Sequence, residues 1–186
     1  HAAHEALQGR GGSGVDVAAA LSGGLVQYTK TGRRRRNLAW PAQLKFALYW
    51  SGTPADTVAG IRRYRQRASG TRGGALGIAA ERAAAAWAQA DVTGILVETR
   101  RFTDELARID TELGLGIYAA GHGALAAAAS GDLVYKPCGA GGGDVGIALT
   151  TGDGLDAFSA TALQHGYERL PLVLEPGGVA VAEVPA

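Results

Sequence analysis

The chain has 186 residues, enough for one domain or for one domain with a fragment of another, and 47% hydrophobic residues are ample for a packed core. A net charge of +1 points to neither nucleic acid nor a membrane surface as partner. The single cysteine, Cys138, excludes an intramolecular disulfide framework and suits a reducing, cytoplasmic compartment, and no apolar run approaches the ~20 residues that span a bilayer.

Residues 1–8 read as the last turns of a helix, stopped by Gly9, Gly11 and Gly12. His1 and His4 could share a helical face, but two histidines without a third ligand read as packing or surface residues rather than a metal site. Ser13-Gly14-Val15-Asp16 then opens a helix that runs through Leu21 and ends at Gly23-Gly24. Ser13 and Asp16 have the spacing of an N-cap and an acid at the third helical position. Two readings of Asp16 stand side by side. It completes a capping box, or it is a carboxylate held rigidly where free helix-start amides also favour phosphate. In the second case it could orient a substrate oxygen and take its proton during phosphoryl transfer.

Residues 25–29 read as a strand. Arg33 to Arg36 follow at a turn marked by Gly32; without interleaved aromatics they read as a solvated hairpin tip rather than a nucleic-acid site. Residues 44–50 form a mostly apolar strand. Thr53 suits an N-cap, Pro54 the first helical position and Asp56 the capping acid, so a helix is expected from Pro54 to about Ala68. Its Arg62, Arg63, Arg65 and Arg67 face solvent or an anionic substrate.

Helices are expected over 74–90, which is alanine-rich, and over 102–113, which is amphipathic and stopped by Gly114. A third is expected over about 120–130. Residues 133–135 and 145–150 read as strands, and 155–165 as a helix with Gly166 at its C-terminal cap. Residues 170–174 and 179–182 read as closing strands joined by a tight Gly177-Gly178 hairpin. Grouped helices with several hairpins argue an α+β fold rather than an alternating α/β one.

Between the strands at 133–135 and 145–150 lies Lys136-Pro137-Cys138-Gly139-Ala140-Gly141-Gly142-Gly143-Asp144. Four glycines in five positions leave a loop edge lined by amides, which can form a concave nest for anionic oxygens. A Walker loop would need Gly-Lys-Ser/Thr before a helix, and a dinucleotide fingerprint would need a helix opening; a strand follows here. The alternative is a glycine-rich hairpin that only lets two elements pack closely.

The run from Lys136 to Leu149 resembles the third signature motif of the GHMP kinases, the galactokinase, homoserine, mevalonate and phosphomevalonate kinases. Its Gly-Gly-Gly-Asp form is most similar to the phosphomevalonate kinase branch. Gly12 to Ala18 resembles the family segment that carries a catalytic aspartate. The resemblance covers nearly the whole chain but only the C-terminal part of the family, whose Pro-x3-Gly-Leu-Gly-Ser-Ser-Ala loop is not in these residues. The resemblance implies that residues 1–52 end a ribosomal-protein-like N-terminal domain, and that 53–186 form a ferredoxin-like α/β sandwich.

It further implies transfer of the ATP γ-phosphate to 5-phosphomevalonate, giving 5-diphosphomevalonate in the mevalonate route to isoprenoids. Asp16 would orient or deprotonate the acceptor, and Ser13 and Gly14 would shape its pocket. Lys136, Cys138, Gly139, Ala140, Gly141, Gly142 and Gly143 would line the phosphate site, with Asp144 supporting the loop or approaching the acceptor. Mg2+ would accompany ATP, with its protein ligands outside this chain. Cys138 stands where the family usually has serine, and a thiol is the weaker donor. The resemblance also implies an N-terminal half of the same protein as partner, and the chain alone is expected to be inactive. Apolar surface at 1–52 would favour association, for instance as a homodimer. Two rival functions stand beside this one: a kinase for mevalonate or another small alcohol, and a non-catalytic module that binds an anion or a partner chain.

Overall fold

The computed structural model describes residues 14–68 and 74–180. They divide into two compact units, one made of the described residues up to Trp40 and from Val173, the other of Pro41–Leu172.

In the first unit, helix α1 (Val15–Ser22) leads into strands β1 (Leu25–Thr29) and β2 (Arg34–Leu38), an antiparallel pair. A 3-10 turn at Thr31–Arg33 joins the strands, with Gly32 at φ 74°. Arg33 to Arg36 are all exposed, as a solvated hairpin requires. The expected closing strands at 170–174 and 179–182 are not found over the described residues 171–180. Pro171 cannot donate to a ladder. The backbone beyond it is committed elsewhere: Gly24 N donates to Glu175 O (2.7 Å) and Val179 N to Ala20 O (2.9 Å). Gly177 and Gly178 press against Gly23 and Leu21 at the end of α1, which excludes a Cβ at either Gly23 or Gly178.

The second unit is built on a four-stranded antiparallel sheet. Its strands are β3 (Lys45–Trp50), β4 (Val134–Pro137), β5 (Val145–Thr150) and β6 (Glu168–Leu170), in the order β4-β5-β3-β6. Helices fill the connection from β3 to β4: α2 (Thr57–Arg67), α3 (Gly74–Ala88), α4 (Val92–Leu113) and α5 (His122–Ala128). Helix α6 (Leu155–Gln164) joins β5 to β6. The strand–helix–strand–strand–helix–strand path with this order is the ferredoxin-like arrangement, so the chain is α+β. Strand β3, which the expected boundary at residue 52 assigned to the preceding domain, lies inside this sheet between β5 and β6.

The core covers one sheet face. Tyr49 and Tyr135 flank the central strand, where the small residues Gly146 and Ala148 make room for them. A Cβ on Gly146 would overlap the Tyr135 hydroxyl. Leu125 of α5 and Leu155, Phe158 and Ala162 of α6 close over the rings.

Three helix boundaries differ from the expectations. Helix α1 is capped by Gly14, so Asp16 is its second residue rather than its third. Helix α2 starts at Thr57 with Asp56 as its N-cap, accepting from Ala59 N at 2.9 Å. It cannot start at Pro54, because the Thr53 carbonyl already accepts from Asp144 N (2.5 Å) and Ser51 Oγ (3.0 Å). Helix α4 starts ten residues before Phe102, capped by Asp91, whose carboxylate accepts from Gly94 N at 3.0 Å. Val92, Thr93, Ile95, Val97 and Thr99 are β-branched and weaken the local helical signal; packing on α3 overrides it.

Candidate functional site

The loop between β4 and β5 is folded tightly and held from three sides. Its hairpin is closed by Cys138 N donating to Val145 O (2.8 Å), and Gly141 N donates back to Cys138 O (3.3 Å). Gly142 N donates to Ile117 O (2.8 Å), and Asp144 N to Thr53 O. Ser51 N returns a bond to Asp144 O at 2.9 Å. The Gly143 carbonyl lies 2.9 Å from His122 Nε2.

The backbone explains the glycines. Gly139, Gly141, Gly142 and Gly143 have φ of 60°, 67°, 73° and 133°, a region that costs an L side chain about 1–2 kcal/mol. Asp144 adopts φ 66°, which aspartate tolerates better than most residues. Space separates the glycines further. A Cβ on Gly141 would lie 2.5 Å from Ile117 O, one on Gly142 2.9 Å from Gly116 O, and one on Gly143 2.8 Å from Thr53 O. A Cβ on Gly139 would meet nothing within 4 Å. So the amides of Gly141, Gly142 and Asp144 are committed to neighbouring carbonyls, and the open side of the loop is at Gly139 and Ala140.

Lys136 and Cys138 precede that open side in the chain. Lys136 Nζ donates to Pro137 O (2.6 Å) and lies 5.8 Å from the Phe102 ring centroid. Cys138 is half-buried, and burial pushes its thiol pKa up; nearby Lys136 opposes that rise and Asp144 adds to it. Cys138 therefore stays a neutral thiol, which donates weakly but does not repel an anion.

Two further groups prop the neighbouring turn. The buried Asp110 carboxylate accepts from Ile117 N (2.9 Å) and Tyr118 N (2.8 Å), fixing the peptide whose carbonyl holds Gly142. Arg67 donates to Leu113 O (2.9 Å) and Gly114 O (2.6 Å), so this arginine of α2 caps α4. Arg63 stands closer to the loop, with Nη1 3.5 Å from the place of a Cβ on Gly116.

The structure thus gathers Lys136, Cys138, Gly139, Ala140, Gly141, Gly142, Gly143 and Asp144 in one hairpin. Gly14 and Asp16 belong to the other compact unit, at the start of α1, with Gly14 buried and Asp16 exposed. Ser13 lies outside the described residues. The sequence reading missed His122, Tyr135 and Asp110. The sole sequence sign of His122 is its place between Gly121 and Gly123. Among the described residues, no group of three or more His, Cys, Asp or Glu is disposed to hold a metal ion.

Comparison with known proteins gives this chain a curated relative. No family model matches the chain. A curated phosphomevalonate kinase from Streptomyces sp. (strain CL190) is 36% identical over 202 residues, covering 89% of this chain and 52% of that protein. The chain is a relative of the GHMP kinases. It matches the C-terminal part of phosphomevalonate kinase and spans about half the length of that curated relative. Solved structures agree on the fold. The Lin0012 protein from Listeria innocua superposes with a TM-score of 0.76 at 22% identity, over 90% of this chain and 56% of that one. Phosphomevalonate kinase from Streptococcus pneumoniae, in complex with phosphomevalonate and AMPPNP, gives 0.71 at 21% identity, over 87% of this chain and 56% of that one.

Proposed function

We propose that the chain is the acceptor-side part of an ATP-dependent kinase that phosphorylates 5-phosphomevalonate to 5-diphosphomevalonate. The observation that carries this reading is the 36% identity with a phosphomevalonate kinase across 89% of the chain. The tightly held glycine hairpin is in keeping with it. ATP supplies the transferred phosphoryl group, and Mg2+ neutralises charge around it.

The chain's own residues then divide the work. Asp16, presented to solvent at a helix start, orients the acceptor oxygen and takes its proton if one is present. Gly14, and Ser13 before it, shape the ground beside it. The open side of the loop, at Cys138, Gly139 and Ala140, receives an acceptor phosphate, while Gly141 to Asp144 keep that side in shape. Lys136 adds positive charge nearby. None of the described residues is assigned to a triphosphate cradle; a further segment, in the same chain or supplied in trans, is proposed to provide it. Magnesium brought in with ATP would supply countercharge to the phosphates and would need few protein ligands. The natural setting of such a kinase is the cytoplasm; no helix among the described residues is long and apolar enough to cross a membrane.

ADP release tests the reading, with 5-phosphomevalonate, mevalonate and homoserine offered separately. The 186-residue chain alone should not exceed a buffer control, and an upstream segment supplying the triphosphate cradle should establish turnover with 5-phosphomevalonate. Preference for mevalonate would replace the acceptor. Robust turnover by the chain alone would overturn this assignment of the ATP-binding residues.

A further inference from the structure

A buried polar pair lies against the glycine hairpin, and the kinase reading gives it no role. His122, the first residue of α5, is fully buried. Its Nε2 lies 2.9 Å from Gly143 O and its Nδ1 2.8 Å from the Tyr135 hydroxyl. A carbonyl oxygen can only accept, so Nε2 carries the proton. In the neutral ring Nδ1 is then an acceptor, and the Tyr135 O–H donates to it. The order Tyr135 O–H to Nδ1, Nε2–H to Gly143 O therefore selects one tautomer.

The surroundings favour that neutral ring. Burial lowers the His122 pKa, and Lys136 lowers it further, against the Gly143 bond and Asp144, which raise it. The rings of Tyr135 and Tyr167 stand 6.0 and 5.3 Å from the imidazole, centroid to centroid, and enclose it. Burial also raises the pKa of the Tyr135 hydroxyl, keeping it a donor.

The held peptide matters to the loop. The unit joining Gly143 to Asp144 has its carbonyl on His122 and its amide on Thr53 O. On either side of it the chain takes φ 133° and φ 66°. Two fixed points, one from α5 and one from the segment after β3, thus set the direction of one peptide. Gly139 lies in the same hairpin, whose limbs are joined by the bond from Cys138 N to Val145 O (2.8 Å).

We propose that His122, in its Nε2–H tautomer, and Tyr135 are positioning residues that set the Gly143–Asp144 peptide and so the phosphate-receiving side of the loop. The claim about the peptide stands on geometry alone. The claim about phosphate rests on the kinase reading above.

Three variants of the full chain test it. His122→Gln keeps an Nε2 donor near the position of the ring nitrogen. His122→Phe fills the space without a donor. Tyr135→Phe removes the hydroxyl that selects the tautomer. Imidazole 15N shifts should show His122 as Nε2–H in the wild type and a mixture of tautomers in Tyr135→Phe. Amide exchange at Gly142 and Asp144 should be about 10-fold or more faster in His122→Phe, as expected when a buried hydrogen bond is lost, and much closer to wild type in His122→Gln. Affinity for 5-phosphomevalonate, by calorimetry, should fall by about 10-fold in His122→Phe and recover most of that in His122→Gln.

An Nδ1–H tautomer in the wild type overturns the proposal. So does wild-type exchange at Asp144 in His122→Phe, or equal loss in Gln and Phe, which would make the histidine a space-filler. If the wild type binds 5-phosphomevalonate and His122→Phe binds it equally well, the phosphate claim is wrong while the kinase reading survives. If the wild type does not bind it, yet exchange follows the Gln and Phe order, the positioning of the peptide is upheld and the kinase reading falls.

Discussion

The glycine hairpin and the start of α1 carry the two stretches that resemble the kinase signature, and they are built in opposite ways. In the hairpin, Gly141 and Gly143 are buried, and three successive glycines back directly onto carbonyls of other segments. At the start of α1, Asp16 is exposed one residue inside a helix capped by a glycine. A change in the hairpin disturbs packing and any ligand together. In the proposed kinase, a change at Asp16 is expected to act on turnover more than on packing. Motif density therefore marks where mutational effects are hardest to assign.

The largest effect sharpens this contrast. With a segment that supplies the triphosphate cradle, Asp16→Asn should lower turnover by ~10²-fold or more, the usual loss for a proton-transfer group, while the thermal midpoint stays put. Unchanged turnover with a lowered midpoint would make Asp16 a helix-start residue only. In the hairpin, Gly141→Val should destabilise the fold by about 3 kcal/mol, combining the positive φ with overlap on Ile117. Denaturant unfolding measures it, and a stable Gly141→Val would mean the loop yields more easily than its contacts indicate.

Gly139→Ala separates the two roles within the hairpin. Its Cβ enters open space, so the expected cost is about 1 kcal/mol from backbone conformation. If the open side receives phosphate, affinity for 5-phosphomevalonate should nonetheless drop roughly 10-fold, because the methyl occupies that space. Equal affinity would move the ligand away from Gly139. The smallest effect belongs to Cys138→Ser. A hydroxyl is a better donor than a neutral thiol, so activity should hold or rise by a few-fold. A large loss would assign the half-buried sulfur a packing role.

Part of this was legible from residues 133–150 alone. The strand expected at 145–150 is β5, and the glycines fall where φ is positive. Local steric rules decide both, so local sequence reports them. The amides were a different matter. An amide-lined edge was expected, but the amides of Gly141, Gly142 and Asp144 bond to Cys138, Ile117 and Thr53. The last two partners are remote in sequence, and no local pattern announces them.

Sequence by itself determined the α+β class, the amphipathic second half of α4, helix α6, and the solvated arginine hairpin. Each follows from a period, a cap or a turn residue within a few positions. Only the tertiary structure decided the rest. Thr53 lends its carbonyl to Asp144, so α2 begins at Thr57. The backbone after Pro171 is partly spent on the end of α1 and the turn after it, and no strand forms over the described residues 171–180. His122 becomes a fixed donor because a tyrosine on β4 and a carbonyl in the hairpin meet its two ring nitrogens. Each hydrogen-bonding group has a limited number of donor or acceptor sites, and the fold decides which partners fill them. That competition is settled between segments distant in sequence, which is why it cannot be read from either one.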